Sequence, residues 1–302
     1  MTLDTISPDL KTVLRRLRLS PMLATLPERL LLAREQKMPH QDFLLLVLGD
    51  EGSRRDSQAT AMRARRAQLD PAMQLEAWDS SAKVHFDRTL LNELVAMRFV
   101  ASGAHVAIVG PVGVGKTFLA HALGHIACRH GYSVLALRAD QMLKSLRHAR
   151  LDHFYEAELR KLLATDVLVL DDFGLDAMDP TESRDAYEIF TERHRAGSVI
   201  VTSNRGPDEW LVTFADPVRA QSAIDRFMGN SYDLVIEGES YRSRQKPKLS
   251  DADEYAKTDA HNRLRTSAMN PGTHPSTPDS AVPRRPRNRR KDDQLTGQPD
   301  RR

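Results

Sequence analysis

Residues 104–117 read Ala104-His105-Val106-Ala107-Ile108-Val109-Gly110-Pro111-Val112-Gly113-Val114-Gly115-Lys116-Thr117. The first six are an apolar strand candidate, and the last eight match G-x-x-x-x-G-K-[ST]. A helical stretch follows over 117–130, with Leu119, Leu123 and Ile126 on one side. Strand, glycine-rich turn and helix N-terminus in this order build a phosphate cradle. The glycines let backbone N–H groups wrap an anion, and the helix start adds positive potential. Gly110, Pro111, Val112, Gly113, Val114 and Gly115 are expected to line a nucleotide's phosphates. Lys116 would reach the β- and γ-phosphates, and the Thr117 hydroxyl would ligate Mg²⁺.

Downstream, four apolar residues end in two acids: Val167-Leu168-Val169-Leu170-Asp171-Asp172. This is a buried parallel strand delivering carboxylates to the edge where such a loop holds its phosphates. Asp171 is expected to hold Mg²⁺, directly or through water, and Asp172 to orient or deprotonate an attacking water. Alone, an acidic pair after a strand reads as a turn or a helix cap; beside the phosphate loop the chemical reading is preferred. Asp172-Phe173-Gly174 also spells a kinase string, but the partner kinase motifs are missing. A third strand around Val199–Val201 leads into Thr202-Ser203-Asn204-Arg205. Asn204 is the candidate to bond both the γ-phosphate and the water, against an Asx turn as the plain alternative. Arg226 follows on an expected helix, a permanent charge suited to a γ-phosphate or to a solvated pair with Asp225. Arg242 in Gly238-Glu239-Ser240-Tyr241-Arg242 is a lesser candidate of the same kind.

Short apolar runs at 105–109, 133–137, 167–170, 199–201 and 234–236 alternate with helical stretches. That alternation predicts an α/β fold: a mostly parallel sheet with helices on both faces. Upstream, residues 8–75 read as helical, with apolar series at Leu10, Val13, Leu14, Leu17, then Leu23, Leu26, Leu30, then Phe43, Leu46, Val47. Gly49 and Gly52 argue against one unbroken helix there. Trp78, Phe86, Leu90, Leu94 and Val95 are expected to pack the connector 76–100 against the α/β part. Three domains are therefore expected: a helical N-terminal domain at 1–75, an ATPase-type domain at 76–245, and a tail at 246–302. The tail carries six prolines within 271–302, with basic clusters between, and is expected to be disordered.

The 302 residues carry a net charge of only +3, too little to argue for a nucleic-acid partner. Its distribution says more: residues 1–80 sum to +1, 81–245 to −3, and 246–302 to +5. One cysteine, Cys128, excludes a disulfide scaffold and a multi-cysteine zinc site. No apolar run approaches the roughly 18–20 residues of a membrane span. The start MTLDTISPDL lacks the pattern of a secretory signal, so a cytoplasmic protein without a membrane partner is expected. His121 and His125 lie four apart but lack a third ligand, Cys128 reads as a packed small hydrophobe, and Trp210 as a structural anchor. Asp179-Pro180-Thr181-Glu182 is a capping box with proline at the first helical position.

Taken together, GPVGVGKTFLAHALGHIACRHGYSV (110–134), VLVLDDFGL (167–175), SVIVTSNRGPDEW (198–210), FADPVRAQSAIDRF (214–227) and GESYR (238–242) resemble the IstB-like ATP-binding proteins. These are AAA+ ATPases that assist insertion-sequence transposases and are related to DnaC-type helicase loaders. The resemblance runs over about 8–245 and is most specific across 104–242. It implies an AAA+ P-loop core with little or no C-terminal lid, behind a small helical N-terminal domain. It implies ATP with Mg²⁺ as cofactors, and homo-oligomers on double-stranded DNA that direct and stimulate a cognate transposase. Lys116 and Thr117 then belong to Walker A, Asp171 and Asp172 to Walker B, and Asn204 to sensor 1. Arg226 matches the segment that supplies an arginine finger to a neighbouring subunit. The chain departs from the common Asp-Glu at Walker B, and the shorter Asp172 implies slower turnover. Two other functions fit the same residues: a helicase loader whose partner is a replicative helicase, and a nucleotide-binding scaffold without turnover. Arg15, Arg16, Arg18 and the arginines of 54–66 are the candidate DNA-phosphate contacts, with a solvated helix face as the alternative.

Overall fold

The computed structural model describes residues 6–243. Its N-terminal part is helical. α1 (Pro8–Arg16) starts at Ser7, whose hydroxyl accepts from the Leu10 N–H, with Pro8 pre-set for the first turn. A short tight turn (Ser20–Ala24) leads to α2 (Leu26–Glu35) and then to α3 (His40–Arg66). Ile6, Leu14, Met22, Leu26 and Val47 form the small core that these elements share. Contrary to expectation, α3 runs unbroken through Gly49 and Gly52. Two interior glycines cost about 1 kcal/mol each relative to alanine. Ion pairs flank them: Arg29 Nε donates to Asp50 at 2.7 Å, and the buried Glu51 takes Arg54 and Arg55, each at 2.7 Å. The two guanidinium groups hold the Glu51 carboxyl down at about 2. Of the first expected apolar series only Leu14 is buried; Leu10, Val13 and Leu17 face outward.

The stretch after α3 is seated on the α/β part. Ala67 and Leu69 are buried in its core, and the Ala136 N–H donates to the Ala67 carbonyl at 2.8 Å. The connector carries β1 (Val84–His85), α4 (Arg88–Val95) and α5 (Arg98–Ala101). Leu94 is buried, and Trp78, Phe86, Leu90 and Val95 pack beside it, as expected. The elements then alternate: β2 (His105–Val109), α6 (Lys116–Arg129), β3 (Val134–Arg138), α7 (Ala139–Leu151), α8 (Tyr155–Leu163), β4 (Val167–Asp171), α9 (Pro180–Arg193), β5 (Ser198–Ser203), α10 (Pro217–Met228), β6 (Ser231–Val235) and β7 (Glu237–Gly238). Five strands form one all-parallel sheet in the order β3-β4-β5-β2-β6, while β1 pairs antiparallel with β7. This is the α/β class that the alternation predicts.

Every residue of β2, β4 and β5 is buried because helices cover both sheet faces. Alternate residues go to opposite layers. Ala107, Val109, Leu168, Leu170, Val199 and Val201 meet α7 to α10, whereas Val106, Ile108, Val167, Val169 and Ile200 meet α4 to α6. The last sheet strand differs from expectation, starting at Ser231 instead of Leu234. It is an edge strand whose first residues are mostly outward-facing, so the apolar signal begins only at Leu234. Among the described residues only a tight turn (Tyr241–Ser243) follows β7. The tail expected at 246–302 lies outside them.

Arg193, at the end of α9, is buried and ties three elements together. Its Nη1 donates to the carbonyls of Leu162, Leu163 and Thr165, and its Nη2 to those of Asp166 and Ser198, at 2.7–3.2 Å. Burial lowers its pKa to about 10. An ammonium has three donors for these five acceptors. Arg193→Lys is therefore expected to strip at least two buried carbonyls of partners and cost about 2 kcal/mol or more, read as a fall in denaturant midpoint.

Candidate nucleotide-phosphate site

Parallel strands place all their C-terminal ends on one edge, and the candidate residues gather there. β2 ends at Val109 and the chain turns into Gly110–Gly115 before α6 begins at Lys116. Two glycines are required by contact. A Cβ on Gly110 would stand 2.1 Å from the Ile236 carbonyl oxygen, which is backbone and cannot move aside. Gly115, at φ +100°, immediately precedes α6 as its N-cap, and a Cβ there would meet the Trp78 ring at 2.7 Å.

Lys116 is buried and its ammonium is fully engaged. It donates to the Gly110 carbonyl at 2.9 Å, the Pro111 carbonyl at 2.7 Å and the Asn204 Oδ1 at 2.7 Å. Burial pulls its pKa below the usual lysine value, and the Asp172 and Asp171 carboxylates oppose that shift. The lysine bridges its own loop, and an entering phosphate would exchange for those carbonyls.

Asp171 is the last residue of β4, buried, with Oδ1 accepting two hydroxyl groups. Thr117 Oγ1 donates from the first turn of α6 at 2.8 Å, and Thr202 Oγ1 donates from the adjacent β5 at 2.5 Å. The same Thr202 oxygen accepts the Asp172 N–H at 3.0 Å. Asp172 adopts φ +56°, a conformation that turns the chain out of the sheet at the strand's end. Phe173 follows into the core, its N–H donating to the Thr202 carbonyl at 2.9 Å. Gly110–Thr117, Asp171, Asp172 and Asn204 thus converge on one edge of the sheet.

Arg226 does not join them. It lies in the last turn of α10, just before β6 starts, at the edge where the strands begin. The five residues of β2 separate the two edges by about 16 Å at 3.3 Å per residue. Its Nη1 donates to the Ser222 carbonyl at 2.9 Å and to the Ser222 hydroxyl, and no ion pair to Asp225 is present among the described residues. Arg242, the lesser candidate, is exposed but lies nearer the loop: the neighbouring Tyr241 N–H donates to the Gly113 carbonyl at 2.8 Å. Its charge adds to the depression of the Lys116 pKa.

Sequence reasoning missed the parts that Thr202, Trp78, His121 and His125 play around the site. Thr202 stood in the quoted string, but nothing there showed that its hydroxyl joins both acids. Trp78, packed edge-on against Phe86 and Phe118 at 5.8 and 5.3 Å, lies far upstream of the loop it covers. His121 and His125 have structural partners: the Asp70 N–H donates to His121 Nδ1 at 3.0 Å, and His125 Nε2 donates to the Asp70 carbonyl at 2.8 Å. They staple the segment after α3 onto the helix that starts at Lys116. Trp210 is fully buried, its Nε1 donating to Ser203 Oγ and to the Arg205 carbonyl, and Cys128 is buried with its thiol pKa raised by burial.

A family described as IstB-like ATP binding protein matches residues 12–249. A Mycobacterium tuberculosis protein named for ATP binding in an insertion sequence is 36% identical over 241 residues, covering 80% of this chain and 96% of that protein. An insertion-sequence ATP-binding protein of Pseudomonas aeruginosa is 32% identical over 240 residues, covering 80% of this chain and 91% of its own. Among solved structures, AMPPCP-bound DnaA from Aquifex aeolicus is similar at 24% identity and a TM-score of 0.46, over 57% of this chain. The chain spans about half of that structure, 51% of its length.

Thr202→Val keeps the side chain's volume but leaves the Asp172 N–H without its acceptor and Asp171 without one donor. A loss of about 1–3 kcal/mol in unfolding free energy is expected from chemical denaturation, with the m-value unchanged.

Proposed function

The chain belongs to the family of IstB-like ATP-binding proteins, and on that premise we propose that it is an ATP-dependent helper of a cognate insertion-sequence transposase. In this reading it binds ATP, assembles as a homo-oligomer on duplex target DNA in the cytoplasm, hydrolyses ATP, and recruits or stimulates the transposase. The observation that carries the reading is the convergence of Lys116, Thr117, Asp171, Asp172 and Asn204 on one sheet edge. Lys116 bonds to Asn204, and Thr117 to Asp171. Segments 1–75, 76–245 and 246–302 are assigned to DNA or partner binding, to ATP chemistry, and to an accessory basic tail.

The chemistry follows from charge and reach. The N–H groups of Gly110–Gly115 and the N-terminus of α6 take the phosphate charge. Lys116 holds the β- and γ-phosphates, and Asn204, already bonded to it, orients the attacking water. That water attacks the γ-phosphorus, the bond to the β-phosphate oxygen breaks, and ADP leaves. Asp172 accepts the water's proton. Thr117 Oγ1 and Asp171 are hard oxygen donors 2.8 Å apart, a donor set that fits Mg²⁺, and they would hold it. When bound, that ion neutralises phosphate charge.

Arg226 at the opposite sheet edge is beyond reach of its own loop, which supports action on a neighbouring subunit's γ-phosphate. Oligomerisation then completes each site. For DNA, the arginines divide by partner. Arg54 and Arg55 are committed to Glu51, and Arg63 Nε to the Cys128 carbonyl at 2.9 Å. Arg15, Arg16, Arg18, Arg65 and Arg66 are exposed and are the proposed phosphate contacts.

Lys116→Ala is expected to abolish ATP turnover with and without duplex DNA. Asp172→Asn, an amide tolerated at this positive φ, is expected to keep nucleotide affinity and lower kcat by about 10²–10⁴-fold. Undiminished hydrolysis in Lys116→Ala, or co-purification with a replicative helicase and indifference to a transposase, would overturn the reading. Replacing Arg65 and Arg66 by alanine is expected to weaken duplex binding across sequences and reduce the salt slope by about one per lost contact.

A further inference from the structure

The last four carbonyls of a helix have no partner within it. In α10, three are taken up by its own continuation. Asp225 O accepts from the Gly229 N–H at 2.8 Å, Phe227 O from the Asn230 N–H at 3.3 Å, and Met228 O from Ser231 Oγ at 3.4 Å. The fourth belongs to Arg226. It accepts from Nδ1–H of His194 at 3.0 Å, a side chain brought by the residue that ends α9. The same turn is held from a second side: the Phe227 ring stacks on His105, centroids 5.1 Å apart and planes within 4°. His105 is fully buried, its Nδ1 accepting the Val199 N–H at 3.2 Å, and burial keeps its pKa at about 4, so the ring is a neutral platform.

The guanidinium has no such anchor. It folds back one turn onto Ser222 of its own helix, so its position in space follows that of the α10 backbone. His194 precedes β5 by a short turn. The other end of β5 leads to Asn204, bonded to Lys116. One strand therefore connects the residue gripping the Arg226 turn with the residue facing the phosphate loop.

We propose that His194 is a positioning residue for Arg226: by donating Nδ1–H to the Arg226 carbonyl it fixes the last turn of α10, and with it the reach of the guanidinium into a neighbouring subunit's site. The proposal rests on the reading of Arg226 as a group that acts in trans.

Complementation between full-length variants tests it, with DNA-stimulated ATP turnover as the readout. Lys116→Ala lacks a working loop but supplies Arg226, and Arg226→Ala has the reverse defect. Mixing them is expected to restore turnover; no recovery in mixed oligomers overturns the trans reading itself. Given recovery, His194→Ala is expected to lower kcat about ten-fold, the worth of one hydrogen bond, with KM for ATP unchanged. It is expected to be rescued by mixing with Lys116→Ala and not with Arg226→Ala, because it too is deficient as a donor. His194→Asn, which retains a donor at the Nδ1 position, is expected to stay within about three-fold of the parent. Rescue by Arg226→Ala, rescue by neither, or unchanged turnover in His194→Ala each overturns the positioning role while leaving the trans reading intact. Should the alanine variant not fold, His194→Phe keeps the ring and removes the donor, and is judged by the same mixtures.

Discussion

The site depends on a single carboxylate oxygen. Asp171 Oδ1, at the end of β4, receives a hydroxyl from Thr117 on α6 and another from Thr202 on β5. Three elements that are separate in sequence are thereby held at one point, and each brings a group next to it: Lys116 from α6, Asp172 from the turn after β4, Asn204 from the end of β5. A buried carboxylate without such partners would carry a large desolvation cost. Two hydroxyl donors offset it and at the same time set the spacing of α6, β4 and β5 at this point.

The sheet explains why this point falls where it does. All four strand pairings in the sheet are parallel, so every βα loop leaves from the same edge. Both faces are covered by helices, so polar groups concentrate at the edges, and the two edges acquire different roles. One carries Lys116, Asp171, Asp172 and Asn204. The other carries Arg193 with its five carbonyl acceptors, His194, and the turn that bears Arg226. The five residues of β2 hold these two edges apart, so the Arg226 turn and the groups around Lys116 belong to opposite ends of the sheet.

Much of this was legible in the sequence, and for a reason particular to these residues. The glycine-lysine-threonine turn, the paired aspartates and the Thr-Ser-Asn tip each lie where an apolar strand stops. Strand and loop signals therefore arrive together within a few residues. The weak points were those where partnering decides. Gly49 and Gly52 argued for a break in a helix that neighbouring ion pairs sustain across them. β6 was placed late because an edge strand has one outward side and a poor apolar signal. Arginines of the N-terminal helices looked alike in the chain, yet Arg54, Arg55 and Arg63 are committed to other groups, whereas Arg15, Arg16, Arg18, Arg65 and Arg66 stand exposed. His121 and His125 resembled half of a metal site and instead hold the backbone of Asp70.

By itself the sequence determined the fold class and the places of the glycine-rich turn and of the acids beside it, because each is a local pattern of backbone freedom, apolar burial and charge within one strand-turn unit. The tertiary structure decided the rest: that Thr202 joins the two acids, that Trp78 covers Gly115, that His194 grips the turn of Arg226, and that Arg226 lies on the far edge. These are contacts between residues up to tens of positions apart. They arise because a buried donor or acceptor must find a partner wherever packing brings one near, and no spacing along the chain encodes which partner that will be.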